Sequence, residues 1–258
     1  MHPASAFAPT AVARLRAAGC VFAEEEAGLL VAQAAGPGEL DALVTRRAAG
    51  EPLEQVLGWA WFRGLRITVE PGVFVPRRRT EFLAGEAIAR ARPGAVVLDL
   101  CCGSGALAAA VAAAVPDVEV HAADVEPAAV RCARRNLPGA HVHEGDLFEP
   151  LPPGLRGRID VLAANVPYVP TGEIALMPAE ARDHEPRRAL DGGNDGLDVL
   201  RRVAAEAVAW LAPGGALLSE VSERQAPAAV EALTAAGLEA YTADDDDLGA
   251  VVVVGELR

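Results

Sequence analysis

The sequence predicts an α/β protein: a doubly wound, parallel sheet with crossover helices, preceded by a small helical unit. Three observations carry this. From Val96 onward, short apolar runs alternate with helix-like segments. The first run ends in a glycine-rich turn, Cys101-Cys102-Gly103-Ser104-Gly105. Before residue 58 the apolar spacing is helical, as in Leu29-Leu30-Val31 followed by Leu40, Leu43 and Val44. At 258 residues the chain can hold one large domain and an appendage.

In order along the chain, short helices fill residues 10–57, broken at Gly19 and at Gly36-Pro37-Gly38. Extended runs at 65–69 and 73–75 around Pro71-Gly72 read as a hairpin. Residues 96–100 form the first sheet strand, 106–115 an alanine-rich helix and 118–123 the next strand. A helix at 127–136 and strands at 140–143 and 159–164 follow, then a helix at 196–210, a strand at 215–221 and a helix at 224–236. Val251-Val252-Val253-Val254 closes the sheet, with Asp244 to Asp247 as a solvated turn before it. The expected division is a helical substrate-docking unit at 1–58, a β-hairpin linker at 59–78 and the main α/β domain at 79–258. Residues 165–195 exceed the usual connection length and should lie over the carboxyl edge of the sheet, where such folds bind ligands.

Net charge is −13, and every basic residue is arginine. The charge is uneven: residues 1–93 carry 11 Arg against 10 acids, and 94–258 carry 12 Arg against 26 acids. That is the wrong sign for a domain that approaches a phosphate backbone, so direct nucleic-acid binding is not expected. Four cysteines without a C-x-x-C pair give no support to zinc or to a disulfide framework. No apolar run approaches membrane-spanning length and the N-terminus lacks a leader pattern, so the expectation is a cytoplasmic monomer.

The loop Asp99-Leu100-Cys101-Cys102-Gly103-Ser104-Gly105 sits between a strand and a helix, where glycines let the backbone turn tightly and approach a ligand. Asp124, at the end of the next strand, is placed to accept hydrogen bonds from ribose hydroxyls. Gly145-Asp146-Leu147-Phe148 adds a carboxylate for an adenine amino group and apolar residues for its ring. Together these describe an adenosine pocket. A tight turn with no ligand, or a dinucleotide site of the G-x-G-x-x-A type, is the competing reading, and Asp146 alone could be a cap or turn residue.

Asn165-Val166-Pro167-Tyr168 follows the strand at 159–164. An Asn-x-Pro-Tyr at a strand's carboxyl end suits a planar, weakly nucleophilic nitrogen, of an amide or an amino-substituted base, held against a sulfonium methyl donor. Asn165 can accept one N–H through its side-chain oxygen, and the carbonyl of Val166 can accept the other. Pro167 biases Val166 to extended geometry, which aims that carbonyl outward. Tyr168 can lie on the flat face of the acceptor. The bland alternative is a loop Asn and Pro ending a strand, with Tyr168 as packing.

With these motifs the chain resembles the HemK/PrmC family of glutamine N5-methyltransferases that modify peptide chain release factors. Phe74-Val75-Pro76-Arg77-Arg78-Arg79-Thr80-Glu81 is similar to the family's F-x-P-R-P-E-T-E, residues 97–105 to V-L-D-L-G-T-G-S-G, and Asn165 to Tyr168 to N-P-P-Y. Residues 180–186 and 191–198 resemble the stretch that follows. The resemblance implies a Rossmann-like class I methyltransferase sheet with S-adenosylmethionine as cofactor. Phe74 and Thr80 would border its methionine moiety, Asp99, Cys101, Gly103, Ser104 and Gly105 would form its loop, and Asp124, Asp146 and Leu147 would hold its adenosine, with Asn165 serving donor and acceptor alike. It implies the Gln of a Gly-Gly-Gln loop in a release factor as substrate. Val166 in place of the first proline, Cys101 in place of a glycine and Arg78-Arg79 in place of Pro-Glu are departures. They leave open an amino-group methyltransferase acting on a nucleic-acid base or other acceptor, or a donor-binding homologue without turnover.

Overall fold

The structure, a computed structural model, describes residues 8–258. Four helices open it: α1 (Ala8–Ala17), α2 (Ala23–Gln33), α3 (Pro37–Ala48) and the short α4 (Leu53–Leu57). Pro37 stands in the first turn of α3, where a missing N–H is tolerated, and α4 stops at Gly58 in the left-handed conformation. Leu15, Leu30, Leu40, Val44 and Val56 close a hydrophobic cluster among these helices.

β1 (Trp59–Phe62) and β2 (Leu65–Thr68) pair antiparallel about Arg63-Gly64. This corrects the expected hairpin at Pro71-Gly72. Arg63 (φ 46°) and Gly64 (φ 77°) both adopt the left-handed conformation of a two-residue hairpin turn. Residues 69–79 form no strand, and Pro71 has no N–H to offer a ladder. A helix that the sequence reading did not place, α5 (Thr80–Arg90), comes next. Its buried face is Thr80, Leu83, Ala84 and Ala87, a stripe that alanine marks too weakly to stand out by hydropathy.

The remaining elements are β3 (Val96–Leu100), α6 (Ala106–Ala114), β4 (Glu119–Asp124), α7 (Pro127–Asn136), β5 (His141–Glu144), β6 (Ile159–Ala164), α8 (Ala179–His184), α9 (Asp198–Ala207), β7 (Leu211–Val221), α10 (Ala226–Ala235), β8 (Glu239–Asp245) and β9 (Ala250–Glu256). Seven strands make one sheet in the order β5-β4-β3-β6-β7-β9-β8. β3 to β7 run parallel, and β9 is antiparallel to both of its neighbours. Leu200 and Val203 of α9 with Leu233 of α10 cover one face. Leu83 of α5 with Leu107 and Val111 of α6 cover the other. β8 is a second correction: Asp244 and Asp245 belong to this edge strand, and the turn is confined to residues 246–249. Exposed and half-buried residues fill β8, so it lacks the apolar alternation that announces a strand.

From β3 the chain proceeds outward to β4 and β5; from β6 it proceeds outward the other way. The sheet therefore has its switch point between β3 and β6, where a crevice opens at the strands' carboxyl ends. Leu100 and Ala164 are register partners across that point. The glycine loop and the Asn-Val-Pro-Tyr segment thus begin side by side, although 64 positions separate Cys101 from Asn165 in sequence.

Residues 165–195 fold over this edge through α8 and 3₁₀ turns at Thr171–Leu176 and Arg187–Ala189. The fully buried side chain of Glu185 ties them down, accepting the Val75 N–H at 3.1 Å and Arg77 Nη2 at 2.6 Å. Arg47 of α3 meets Glu26 at 2.7 Å and Glu180 at 3.2 Å, which joins α2, α3 and α8. Replacing Glu185 with Gln removes the charge while keeping the volume. The expected loss is about 1–3 kcal/mol of stability, read by denaturant unfolding, with faster proteolytic nicking between residues 170 and 185.

Candidate active site

One cavity of about 360 Å³ lies at the switch point. Its wall brings together Phe74, Thr80, Asp99, Cys101, Gly103, Ser104, Asp124, Asp146, Leu147 and the whole segment Asn165, Val166, Pro167 and Tyr168. Gly105 is absent from that wall. A Cβ there would come within 2.9 Å of Leu137 and 3.3 Å of Ala133, so this glycine serves the close packing of α6 on α7.

At the glycine-loop end, Asp124 Oδ2 accepts the Gly103 N–H at 2.9 Å and Oδ1 accepts the Glu126 N–H at 2.9 Å. Carboxylate oxygens carry two lone pairs each, so acceptor capacity for hydroxyls remains. Burial pushes the Asp124 carboxyl above its ordinary range. Asp146 is held by Arg202 at 2.7 Å, an arginine on the cavity wall that the sequence reading did not place there. Asp99 lies beneath the loop and receives the Ala108 N–H at 3.1 Å. It thereby caps α6 from a neighbouring strand, because Gly105 at the N-cap has no side chain to do so. Burial, with the charge of Asp124 adding to it, pushes the Asp99 carboxyl up to about 7.

Cys101 occupies the left-handed region at φ 58°, where a side chain crowds its own backbone. Burial drives its thiol far above the ordinary range, with Asp124 and Asp99 contributing, which disfavours the thiolate.

At the Asn165–Tyr168 end, the buried Glu220 on β7 is the hub that sequence reasoning did not single out. Its Oε1 accepts Arg79 Nε and Tyr168 OH, both at 2.7 Å, and its Oε2 accepts the Thr80 hydroxyl at 2.7 Å. Arg79 also donates to the Tyr168 oxygen. Burial, then the charge of Glu220, raises the Tyr168 phenol well above its ordinary range, which holds it neutral. Asn165 Nδ2 donates to Thr80 Oγ1 at 3.4 Å. Asn165 Oδ1 is buried and has no hydrogen-bond partner. The available sequence signal for Glu220 was a Ser-Glu pair ending the apolar run at 216–218.

Two glycines lie against the tetrapeptide, and a third admits the Asp198 side chain. A Cβ at Gly192 would reach 2.6 Å from the Pro167 carbonyl oxygen, and one at Gly196 would reach 2.2 Å from that of Tyr168. At Gly193 it would strike the Asp198 carboxylate at 1.9 Å. Gln225 Nε2 donates to the Tyr168 carbonyl at 2.8 Å and to that of Asp195 at 2.9 Å, stitching the two segments together.

The family described as Methyltransferase small domain matches residues 64–180. The release factor glutamine methyltransferase of Geobacter sulfurreducens is 41% identical over 208 residues, spanning 79% of this chain and 72% of that protein. The chain belongs to the release factor glutamine methyltransferase family. That of Streptomyces coelicolor is 43% identical over 189 residues, 71% of this chain and 67% of its own length. In fold, the methyltransferase from Pyrococcus furiosus aligns with a TM-score of 0.57 at 18% identity, over 75% of this chain and 89% of that one.

An unfolded Asp releases its proton near pH 4, whereas folded Asp99 keeps it to about 7, so stability present below pH 4 is lost as pH rises through 7. Asp99→Asn cannot ionise and should flatten that slope, read from unfolding free energies at pH 5 and pH 8. Cys101→Gly removes the left-handed strain and should raise stability by about 1 kcal/mol in the same measurement.

Proposed function

We propose that this enzyme methylates the side-chain nitrogen of a protein glutamine with S-adenosylmethionine, and that its substrate is the Gly-Gly-Gln loop of a peptide chain release factor. The single observation that carries this reading is the unpartnered, buried Asn165 Oδ1. Leaving such an atom unsatisfied costs about 1–3 kcal/mol, and a substrate N–H arriving in the cavity recovers that cost. The relatives named above carry the same activity in their names.

The residues present fit the donor. Gly103 leaves its loop open, with only the Phe74 side chain near where a Cβ would stand, at 4.0 Å. Asp124 and Asp146 supply acceptors for ribose and adenine, Leu147 supplies an apolar wall, and Phe74 and Thr80 flank the methionine end. Bound S-adenosylmethionine supplies an electrophilic methyl carbon.

A carboxamide nitrogen is a weak nucleophile because its lone pair is delocalised, so the site works by orientation and by favouring the developing charge. Asn165 Oδ1 takes one N–H and the Val166 carbonyl takes the other, which directs the nitrogen toward the donor. Tyr168, with its phenol pinned between Glu220 and Arg79, presents a fixed ring to the flat acceptor. Neither Tyr168 nor Glu220 is free to serve as a base. None is needed, since the methylated nitrogen becomes acidic and loses its proton to water.

The acidic balance of residues 94–258 disfavours a nucleic-acid acceptor. Among the described residues no helix is long and apolar enough to cross a membrane. We take residues 1–58 as the docking unit for the protein substrate and the enzyme as a cytoplasmic monomer. Asn165→Ala should lower kcat/KM on the release factor by at least about 100-fold while leaving much of the donor affinity, measured by calorimetry. Unchanged turnover, or label on a residue other than the loop glutamine, overturns the reading.

A further inference from the structure

We propose that Glu220 and Thr80 set the polarity of the acceptor clamp: they decide which way round the Asn165 amide stands, so that its oxygen is the end left without a partner and an N–H-bearing amide is selected over a carboxylate. The substrate arm of this inference rests on the functional reading above; the orientation itself does not.

An asparagine amide has two nearly isosteric ends, one donating and one accepting, and nothing intrinsic to it chooses between them. The choice is made by what each end meets. A carboxylate only accepts, and Glu220 receives Arg79 Nε and the Tyr168 hydroxyl on Oε1 and the Thr80 hydroxyl on Oε2. Thr80 has a single hydroxyl proton, and Glu220 takes it. Thr80 Oγ1 is then left with lone pairs only, so it must be met by a donor. The donor it meets is Asn165 Nδ2 at 3.4 Å. With nitrogen turned to Thr80, oxygen is the end left over, and it is the end without a partner in the protein.

Three links therefore carry the sign of one buried charge to the reacting site: carboxylate, hydroxyl, amide. All three groups are positioned by different elements. Glu220 stands on β7, Thr80 opens α5, and Asn165 follows β6. Arg79 keeps the sequence one-directional, because its guanidinium beside Oε1 tolerates only an acceptor there.

Reversing the first link should reverse the last. In Glu220→Gln the new oxygen goes to Arg79 and Tyr168, so the new NH2 faces Thr80. The Thr80 hydroxyl then has its proton free for an acceptor, and the Asn165 amide is drawn to turn its oxygen to Thr80 and leave its NH2 as the end without a partner. Thr80→Val removes the middle link without changing shape and leaves the amide unguided.

The first measurement is solvent exchange of the Asn165 side-chain NH2 in ¹⁵N-labelled protein with donor bound, the signal assigned by its loss in Asn165→Asp. The wild-type amide should exchange at least tenfold more slowly than in Thr80→Val or Glu220→Gln, and Thr80→Ser should restore protection. The second measurement is relative affinity for the release factor and for its loop Gln→Glu variant. The wild-type preference for Gln should fall at least tenfold in Thr80→Val and level or invert in Glu220→Gln, with Thr80→Ser keeping it. Equal exchange in all four proteins overturns the proposal, as does an unaltered Gln-to-Glu preference in both disruptive variants. Should the wild type leave the release factor unmethylated while the exchange pattern holds, the functional reading fails and the amide orientation stands.

Discussion

The carboxylate of Glu220 is the reference point for the side of the crevice that holds Asn165 and Tyr168. A charge this deeply buried is tolerated only when paired and fully hydrogen-bonded, and here a guanidinium and two hydroxyls supply that. Because the three donors belong to the start of α5 and to the segment after β6, their convergence fixes those elements on the end of β7. The Glu220 carboxylate holds the tyrosine hydroxyl directly and meets the asparagine amide through Thr80.

The glycine-loop side depends on a different constraint, the register between β3 and β6. Pairing Leu100 with Ala164 delivers the glycine loop and the tetrapeptide to the same edge, and the reversal of strand order opens space above them. Glycines at 192, 193 and 196 then admit the return chain so closely that no Cβ fits. Pro167 and Tyr168 are consequently braced from below by backbone and above by side chains. Val166, with its freer φ, is buried in the core on the α9 side, so packing restrains the residue where a proline ring is missing.

Much of this was legible in the residues. Strands β3, β4, β6 and β9 are apolar runs bounded by turn residues, and the cavity wall gathers the named loop and motif residues with the exception of Gly105. What escaped notice did so for physical reasons. α5 buries alanines and a threonine, whose hydropathy does not mark a face. The hairpin turn at Arg63-Gly64 was overshadowed by Pro71-Gly72, whose proline suits a bend but not a ladder. Glu220 and Arg202 reach the site from β7 and α9, and such long-range convergence has no local spacing to betray it.

The rim of the sheet carries one more consequence. β8 is the terminal strand next to β9, and its outer side offers unpaired backbone groups to any passing extended chain. Glu239, Asp244 and Asp245 lie along it, with Asp246 and Asp247 just beyond. A second copy adding its own β8 there would stack carboxylates against carboxylates across a few ångströms. The cluster of aspartates thus opposes strand-to-strand pairing of two copies at this edge of the sheet.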